Sequence, residues 1–514
     1  MLRTAGFYTA AFTLLLAAIL IWLGVSFNHG LFFYPVDDAY IHLALAENLP
    51  WHYGLQSTTP AAASSSLLYP WLLLIGKPVG LLEYMPLFYG LLGLAGISFA
   101  FAGLSAHLPL IPQFVKSPWL KGLVLALLIL ALNLVAVSLL GLEHALHIAV
   151  VLFILLGLLQ RAHGLSAGPL FTIALMLNPL LRYEGFALTF LVGGLLFYQH
   201  ERGRAWLVVL VPAGLALAQG LWWHSVGLPW LPSSVLAKAT HLEATSGWSG
   251  ILLHILSNPV QSLRETGTAK VFLVLLVLLL ALLPAMYRRR PQSVPFLVVV
   301  AGAMGAHLVF GKFDPSARYH IYALLLGLGA LVHVMANLRL FGSFESTVLV
   351  LILISPLLPH NYIMTLSTPL SMNDVYLQQY QMHRLLTAYI KAPVAVNDLG
   401  WVSYKADYPI LDVCGLGSDQ VRRQRATNWT PATANQLVQD AGAHLAMIYP
   451  DYCMPGPPAD WQLVAKFLRL EKRNFGIYPL VYFYQTNSGD TTVLRQQLKD
   501  FAATLPPETE LILQ

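Results

Sequence analysis

AGFYTAAFTLLLAAILIWLGVSF, residues 5–27, is followed after a short gap by PVDDAYIH, residues 35–42. The first stretch is apolar, uncharged and long enough for the roughly 20 residues that a bilayer crossing needs. It exceeds the apolar core of a cleavable signal peptide and predicts a retained membrane span. The second stretch sets two adjacent carboxylates, Asp37 and Asp38, just past that span, where charge is costly to keep close to lipid. A helix is expected over 39–48, with an Asp placed to cap its first turn. Asp38 and His42 then share one helix face. Read locally, this is either a helix cap with a solvated face or the start of a functional site.

Composition decides the class. Of 514 residues, 57% are hydrophobic and 10% are charged, against about 25% charged in a soluble domain. A polytopic α-helical membrane protein is expected. Candidate spans are 5–27, 84–106, 119–139, 144–160, 167–181, 184–199, 205–223, 268–286, 294–311, 318–337 and 345–359, about eleven in all. The net charge of +5 is small and belongs mostly to loop ends, which gives no basis for nucleic-acid binding.

The stretch 64–82 is apolar too, but Lys77-Pro78 and Gly80 interrupt it. Short cytoplasmic loops are enriched in Lys and Arg. If 64–82 lies along the membrane surface, the inner loops carry Arg3, Lys116, Lys121, Arg161, Arg202, Arg204, Arg288-Arg289-Arg290 and Arg339. If it spanned, all but Arg3 would move outside. An interfacial 64–82 is therefore predicted.

With that topology the unusual polar clusters fall on one outer face. They are Asp37-Asp38, the turn Gly141-Leu142-Glu143-His144, Arg182-Tyr183-Glu184, the loop Leu231 to Lys238, and Lys312 to Tyr319. Arg182 and Glu184 either pair with each other or serve a site. Arg182, Arg318, Lys312 and Lys238 suit a phosphate, whose oxygens match guanidinium in pairs; lipid head groups are the plainer partner for such cations.

From about residue 360 the apolar runs shorten to strand length, at 394–396, 410–413, 445–449 and 480–484, with helical patterns at 372–388 and 435–441. A C-terminal α/β domain over 360–514 is expected on the outer side, after a membrane domain over 1–359 whose first outer loop is 28–83. Cys414 and Cys453 are the two cysteines. They form one disulfide if this segment is extracytoplasmic, or remain two thiols. No Cys/His spacing points to zinc.

PVDDAYIHLALAENL followed by SSSLLYPWLLL resembles the first outer loop of GT-C fold glycosyltransferases, in the branch that includes the cell-wall arabinofuranosyltransferases. Gly141-Leu142-Glu143 is similar to that branch's Gly-Met-Glu turn. Arg182-Tyr183-Glu184-Gly185 is similar to its Arg-x-Glu-Gly, and Leu231 to Lys238 to its Leu-Pro-Asn-Thr-x-x-Ala-Lys. Asn397-Asp398-Leu399-Gly400 and Leu411-Asp412-Val413-Cys414-Gly415-Leu416 resemble motifs of its outer domain. The chain departs from the pattern at Ala44, Ser233 and His144, so the resemblance does not carry arabinose over.

The resemblance implies transfer of a sugar from a polyprenyl-phosphate donor to an acceptor glycan or glycolipid, outside the cytoplasmic membrane. It places the base at Asp37 or Asp38, with Glu143 as the second-loop acid. For such a reaction Arg182, Arg318 and Lys238 are the candidate donor-phosphate cations, and Tyr40, His144 and Glu184 the candidate substrate contacts; His42 either orients Asp38, contacts the sugar or is an ordinary satisfied helix histidine. Some members use a divalent cation, Mg²⁺ or Mn²⁺, and others none; Asp38 and Glu143 are the oxygen ligands on offer. Tyr376, Tyr380, Trp401 and Tyr404 either stack on an acceptor or build a core. The competing readings are a transporter or flippase, which expects acids at mid-depth and paired broken helices, and a non-catalytic scaffold.

Overall fold

A computed structural model describes residues 2–56, 59–238, 248–314, 318–340, 342–449, 452–470, 478–486 and 491–514. Among the described residues eight helices are long and apolar enough to cross a membrane: Arg3–Phe27, Leu82–Leu104, His144–Ala162, Arg202–Ser225, Gly267–Arg289, Pro291–Phe310, Ile321–Leu338 and Thr347–Leu366. Three shorter apolar helices, Pro118–Ala131, Pro169–Leu181 and Gly185–Tyr198, lie where the other three spans are expected.

The expected span 119–139 is broken. Helix Pro118–Ala131 stops, Asn133 takes a left-handed conformation (φ 60°), and a second helix runs over Leu134–Leu139. A break inside an apolar bundle is tolerated only if the freed backbone groups find partners. Asn361 Nδ2 donates to the Ala131 carbonyl (2.8 Å) and Thr365 Oγ1 donates to Asn133 Oδ1 (3.0 Å). The stretch 64–82 holds only the helix Tyr69–Leu74 and two single turns, Lys77–Val79 and Leu82–Tyr84. Six helical residues reach about 9 Å, too short to cross.

Past residue 359 come helix Leu358–Leu366 and three further helices, Thr368–Leu377, Gln379–Arg384 and Leu385–Ile390. Beyond them lies a six-stranded mixed sheet: β1 Val394–Val396, β2 Ile410–Asp412, β3 Leu445–Ile448, β4 Gln462–Arg469, β5 Leu480–Gln485 and β6 Thr509–Leu513. The order is β2-β1-β3-β5-β4-β6. β1 is parallel to both β2 and β3, and the remaining neighbours are antiparallel.

Alternation along the strands gives the sheet two buried faces. Ala395, Ala446 and Ile448 point to a small cluster around Val438 and Trp461. Val394, Val396, Leu445 and Met447 point to a core shared with the first outer loop, including Tyr34, Tyr40, Leu43 and Leu45 of that loop. Helix Asp38–Asn48 is buried at every position from Ala39 to Ala46, as expected of a helix apolar all round. It sits between the membrane bundle and the sheet.

Candidate functional site

The two adjacent aspartates face different structures. Asp37 does not cap its own helix. Its Oδ2 accepts from Gly400 N (2.6 Å) and its Oδ1 from Trp401 N (2.7 Å), so it caps the one-turn helix Gly400–Ser403 of the C-terminal segment. Gly400 is required there, because a Cβ would lie 2.1 Å from the Asp37 carbonyl oxygen. Burial, and then the neighbouring Asp398 carboxylate, push the Asp37 pKa well above its ordinary range, while the two amides pull it down.

Asp38 turns the other way. Its Oδ2 accepts from Arg318 Nη1 (2.7 Å), and its side chain is 43% exposed. Arg318 Nε also lies 3.5 Å from Asp314 Oδ2. Tyr319 underlies this group: the guanidinium carbons of Arg318 and Arg182 stand 4.8 and 5.1 Å from its ring centre, and Lys312 Nζ 6.0 Å. Cations over an aromatic face gain about 0.5–2 kcal/mol each.

Beside this mouth is a buried ion network. Arg182 Nη1 donates to Glu143 Oε1 (2.7 Å) and to His144 Nε2 (2.9 Å), and Nη2 donates to Glu184 Oε1 (2.8 Å). Arg182 and Glu143 are nearly fully buried. Ser65 Oγ adds a bond to Glu143 Oε1 (3.0 Å), and His42 Nε2 lies 3.5 Å from Glu143 Oε2. Ser64 Oγ is 3.2 Å from His42 Nδ1. Burial alone would raise the Glu143 carboxyl, but Arg182, His42 and Ser65 hold it below its ordinary value. His42 is lowered, chiefly by burial.

Chain geometry explains the convergence. Gly141 has φ +74°, and a Cβ there would lie 2.5 Å from the Tyr34 ring. The turn can therefore press Glu143 against the first loop only with glycine. Arg182 and Glu184 stand in the break between helices Pro169–Leu181 and Gly185–Tyr198. Asn178 closes that break by donating to Gly185 O (2.8 Å) and accepting at Oδ1 from His147 Nε2 (2.9 Å). All these charges lie at helix ends. The opposite ends carry Arg161, which bonds Gln199, Arg204, which donates to Gly168 O, and Arg289, which donates to Leu338 O. Helix His144–Ala162 separates Glu143 from Arg161 by about 28 Å.

Of the residues expected in the site, Asp38, Glu143, Arg182, Arg318, His42, His144 and Glu184 come together. Asp37 lies on the far side of its helix, and Tyr40 is a core residue. The Tyr40 hydroxyl accepts from Tyr34 N (3.0 Å) and its ring packs on Trp401 at 4.0 Å. The Lys238 side chain lies outside the described residues. Tyr376, Tyr380 and Trp401 pack around Phe33 at 5.2–5.5 Å as partly buried aromatics at the edge of the core. Ser64, Ser65 and Tyr319 join the site without having been singled out. The serines sit in the Ser64-Ser65-Ser66 run, and their signal was that run's small polar character inside an apolar stretch.

A divalent cation does not fit this donor set. Asp38 and Glu143 each face a guanidinium instead of each other, and among the described residues no group of three or more His, Cys, Asp or Glu is placed to hold a metal ion.

The C-terminal segment is clamped to this framework at several points. Besides Asp37, Gln56 satisfies the exposed edge of β2, donating to Tyr408 O and accepting from Ile410 N. Glu83 pairs with Lys405. Arg469 pairs with Asp374 in the interior. Cys414 and Cys453 form a disulfide.

A domain of unknown function, DUF8728, matches residues 372–489. The matched stretch includes β1 to β5, the Asp37-binding turn and the disulfide. No curated protein and no solved structure matches the chain.

Proposed function

We propose that the chain is a membrane glycosyltransferase that moves a sugar from a polyprenyl-phosphate donor to an acceptor hydroxyl on the outer face of the cytoplasmic membrane. The observation that carries this reading is Asp38, a half-exposed carboxylate paired with the mostly buried Arg318 and close to the exposed Lys312 at one mouth of the bundle. In a single displacement the acceptor oxygen attacks the anomeric carbon and its proton passes to Asp38. The bond from the anomeric carbon to the phosphate oxygen breaks, its electron pair leaves with polyprenyl phosphate, and the anomeric centre inverts. Arg318, with Lys312 and Lys238, neutralises the charge that grows on the phosphate. Arg182 is committed to Glu143, His144 and Glu184, and its part is to hold those groups in place. Glu143 positions His42 and Ser65 under the mouth. No step is routed through a metal ion.

Several observations support this over a transporter. That class expects ionisable groups at mid-depth, whereas these charges sit at helix ends. The Lys and Arg at the opposite ends favour the cytoplasm there, and the disulfide favours an oxidising compartment on the site's side. Our reading counts the three short apolar helices as spans beside the eight long ones; eleven crossings from a cytoplasmic N-terminus leave the C-terminal segment outside.

The test offers purified protein in nanodiscs a panel of labelled polyprenyl-phosphate sugars and reads release of polyprenyl phosphate. Release with one sugar, lost in Asp38→Asn, is expected. Full turnover by Asp38→Asn would remove the base assignment. Neither binding nor release with any donor would move the reading to a transporter.

A further inference from the structure

The C-terminal segment presents two large aromatics that its cores do not use. Tyr452 and Tyr478 are 44% and 46% exposed, with ring centres 5.8 Å apart. Both approach the buried Tyr449, at 6.3 and 5.3 Å. The three tyrosines make one partly exposed aromatic surface.

That surface is held rigidly. Asn397 Nδ2 donates to the carbonyls of Tyr449 (3.2 Å) and Tyr452 (2.9 Å), and its Oδ1 accepts from Tyr449 N (3.0 Å). The next residue, Cys453, is bonded to Cys414, and its carbonyl accepts from Trp429 Nε1 (2.7 Å). Gln378 Nε2 donates to the Tyr478 carbonyl (2.8 Å). The Asn397-Asp398, Cys414 and Cys453 motifs thus fix the backbone at Tyr449 and Tyr452, and Gln378 fixes it at Tyr478. Rings fixed in advance lose little conformational freedom when a ligand covers them.

The surface also carries a carboxylate. The Tyr449 hydroxyl donates to Asp398 Oδ2 (2.8 Å), and so does Gln379 Nε2 (2.7 Å). Burial, then Asp398, Asp38 and Asp412, push the Tyr452 hydroxyl up to about 12. Asp398 stands two residues before Gly400, whose N–H binds Asp37, so the platform adjoins the seam with the first outer loop. Flat apolar faces beside an oriented carboxylate suit a sugar ring, whose C–H face stacks on an aromatic while its hydroxyls donate to the acid.

We propose that Tyr452, Tyr478 and Asp398 form a saccharide-binding platform that receives the acceptor. The role of the bound saccharide as acceptor rests on the transferase reading; the platform itself does not.

The experiment uses the full chain in nanodiscs without donor, probed on a printed array of defined oligosaccharides. Wild type is expected to bind a related set of glycans. Tyr452→Ala and Tyr478→Ala should each weaken that binding by about tenfold, and Tyr452→Phe by no more than about twofold. An intact Cys414–Cys453 disulfide, read by mobility without reductant, shows that each variant has folded. No glycan bound by wild type, or unchanged binding in both alanine variants, overturns the platform. Glycan binding with neither binding nor release of any polyprenyl-phosphate donor upholds the platform and overturns the transferase. Release without glycan binding does the reverse.

Discussion

Asp37 and Asp38 are neighbours with the same side chain, yet their replacement should fail in opposite ways. Asp37→Ala removes the acceptor of two amides, Gly400 N and Trp401 N. A buried donor left without a partner costs about 1–3 kcal/mol, so the pair costs roughly 2–4 kcal/mol if they do not fully relax. At about 2–4 °C per kcal/mol for a unit of this size, the transition of the C-terminal segment should fall by roughly 4 °C or more. Asp38→Asn loses the ion pair to Arg318, whose side chain is 18% exposed against 43% for Asp38, but Asp314 still faces that guanidinium. It should fold almost as wild type, while turnover falls by about 10²- to 10⁴-fold if Asp38 is the base. Scanning fluorimetry on tryptophan emission reads the first effect, and release of polyprenyl phosphate reads the second. A stable, inactive Asp37→Ala beside an active Asp38→Asn would exchange the two roles and refute the reasoning.

Arg182→Met should leave Glu143 and Glu184 without their cation and cost roughly 3–5 kcal/mol, visible as poor recovery in detergent; Lys312→Ala, at the exposed mouth, should fold normally and raise the donor KM, and an unchanged KM would remove it from the phosphate site. Asp37 is held above its ordinary value of 3.8 by burial and by Asp398. The folded state therefore binds the proton more tightly than the unfolded chain, and this contribution is fully present below 3.8 and lost as pH rises toward the elevated folded value. Melting between pH 4 and 8 should show that loss, and Asp398→Asn should flatten it; an unaltered slope would count against the pair. With both native cysteines in the disulfide, Trp51→Cys, at a position 92% exposed in the first loop, should label from outside the cell and Gln292→Cys only after permeabilisation. Labelling in the reverse order would invert the membrane topology and the sidedness argument with it.

The helical part of the fold is legible because a bilayer leaves little choice. Long uncharged runs must become helices, since no water is present to satisfy the backbone. The break at Asn133 is not legible, because it depends on Asn361 and Thr365 from a distant helix. In the C-terminal segment, β1, β2, β3 and β5 show as short apolar runs. β4 was missed for a local reason: its register against β5 shifts between Leu463 and Ala465, and a bulge puts the two-residue period out of phase. β6 carries Glu510 and Ile512 outward on an edge and has too few buried positions to stand out.

The site divides along a different line. Charge beside lipid is costly enough to mark Glu143, Arg182 and Arg318 from sequence alone, and the pairing of Arg182 with Glu184 could be read from their spacing. What local sequence could not separate was Asp37 from Asp38, since both sit before the same helix with the same capping preference. Their difference is set by what lies opposite. One meets the amides of Gly400 and Trp401, where only glycine admits the approach; the other meets Arg318 and the solvent. Helix Asp38–Asn48 is thus gripped by the C-terminal segment through the residue just before it, while its own first residue faces the mouth of the bundle. The same argument explains why Tyr40 reads as polar in sequence but belongs to the core. It lies on the face of that helix turned toward Trp401, and packing there, not chemistry at the mouth, fixes its place.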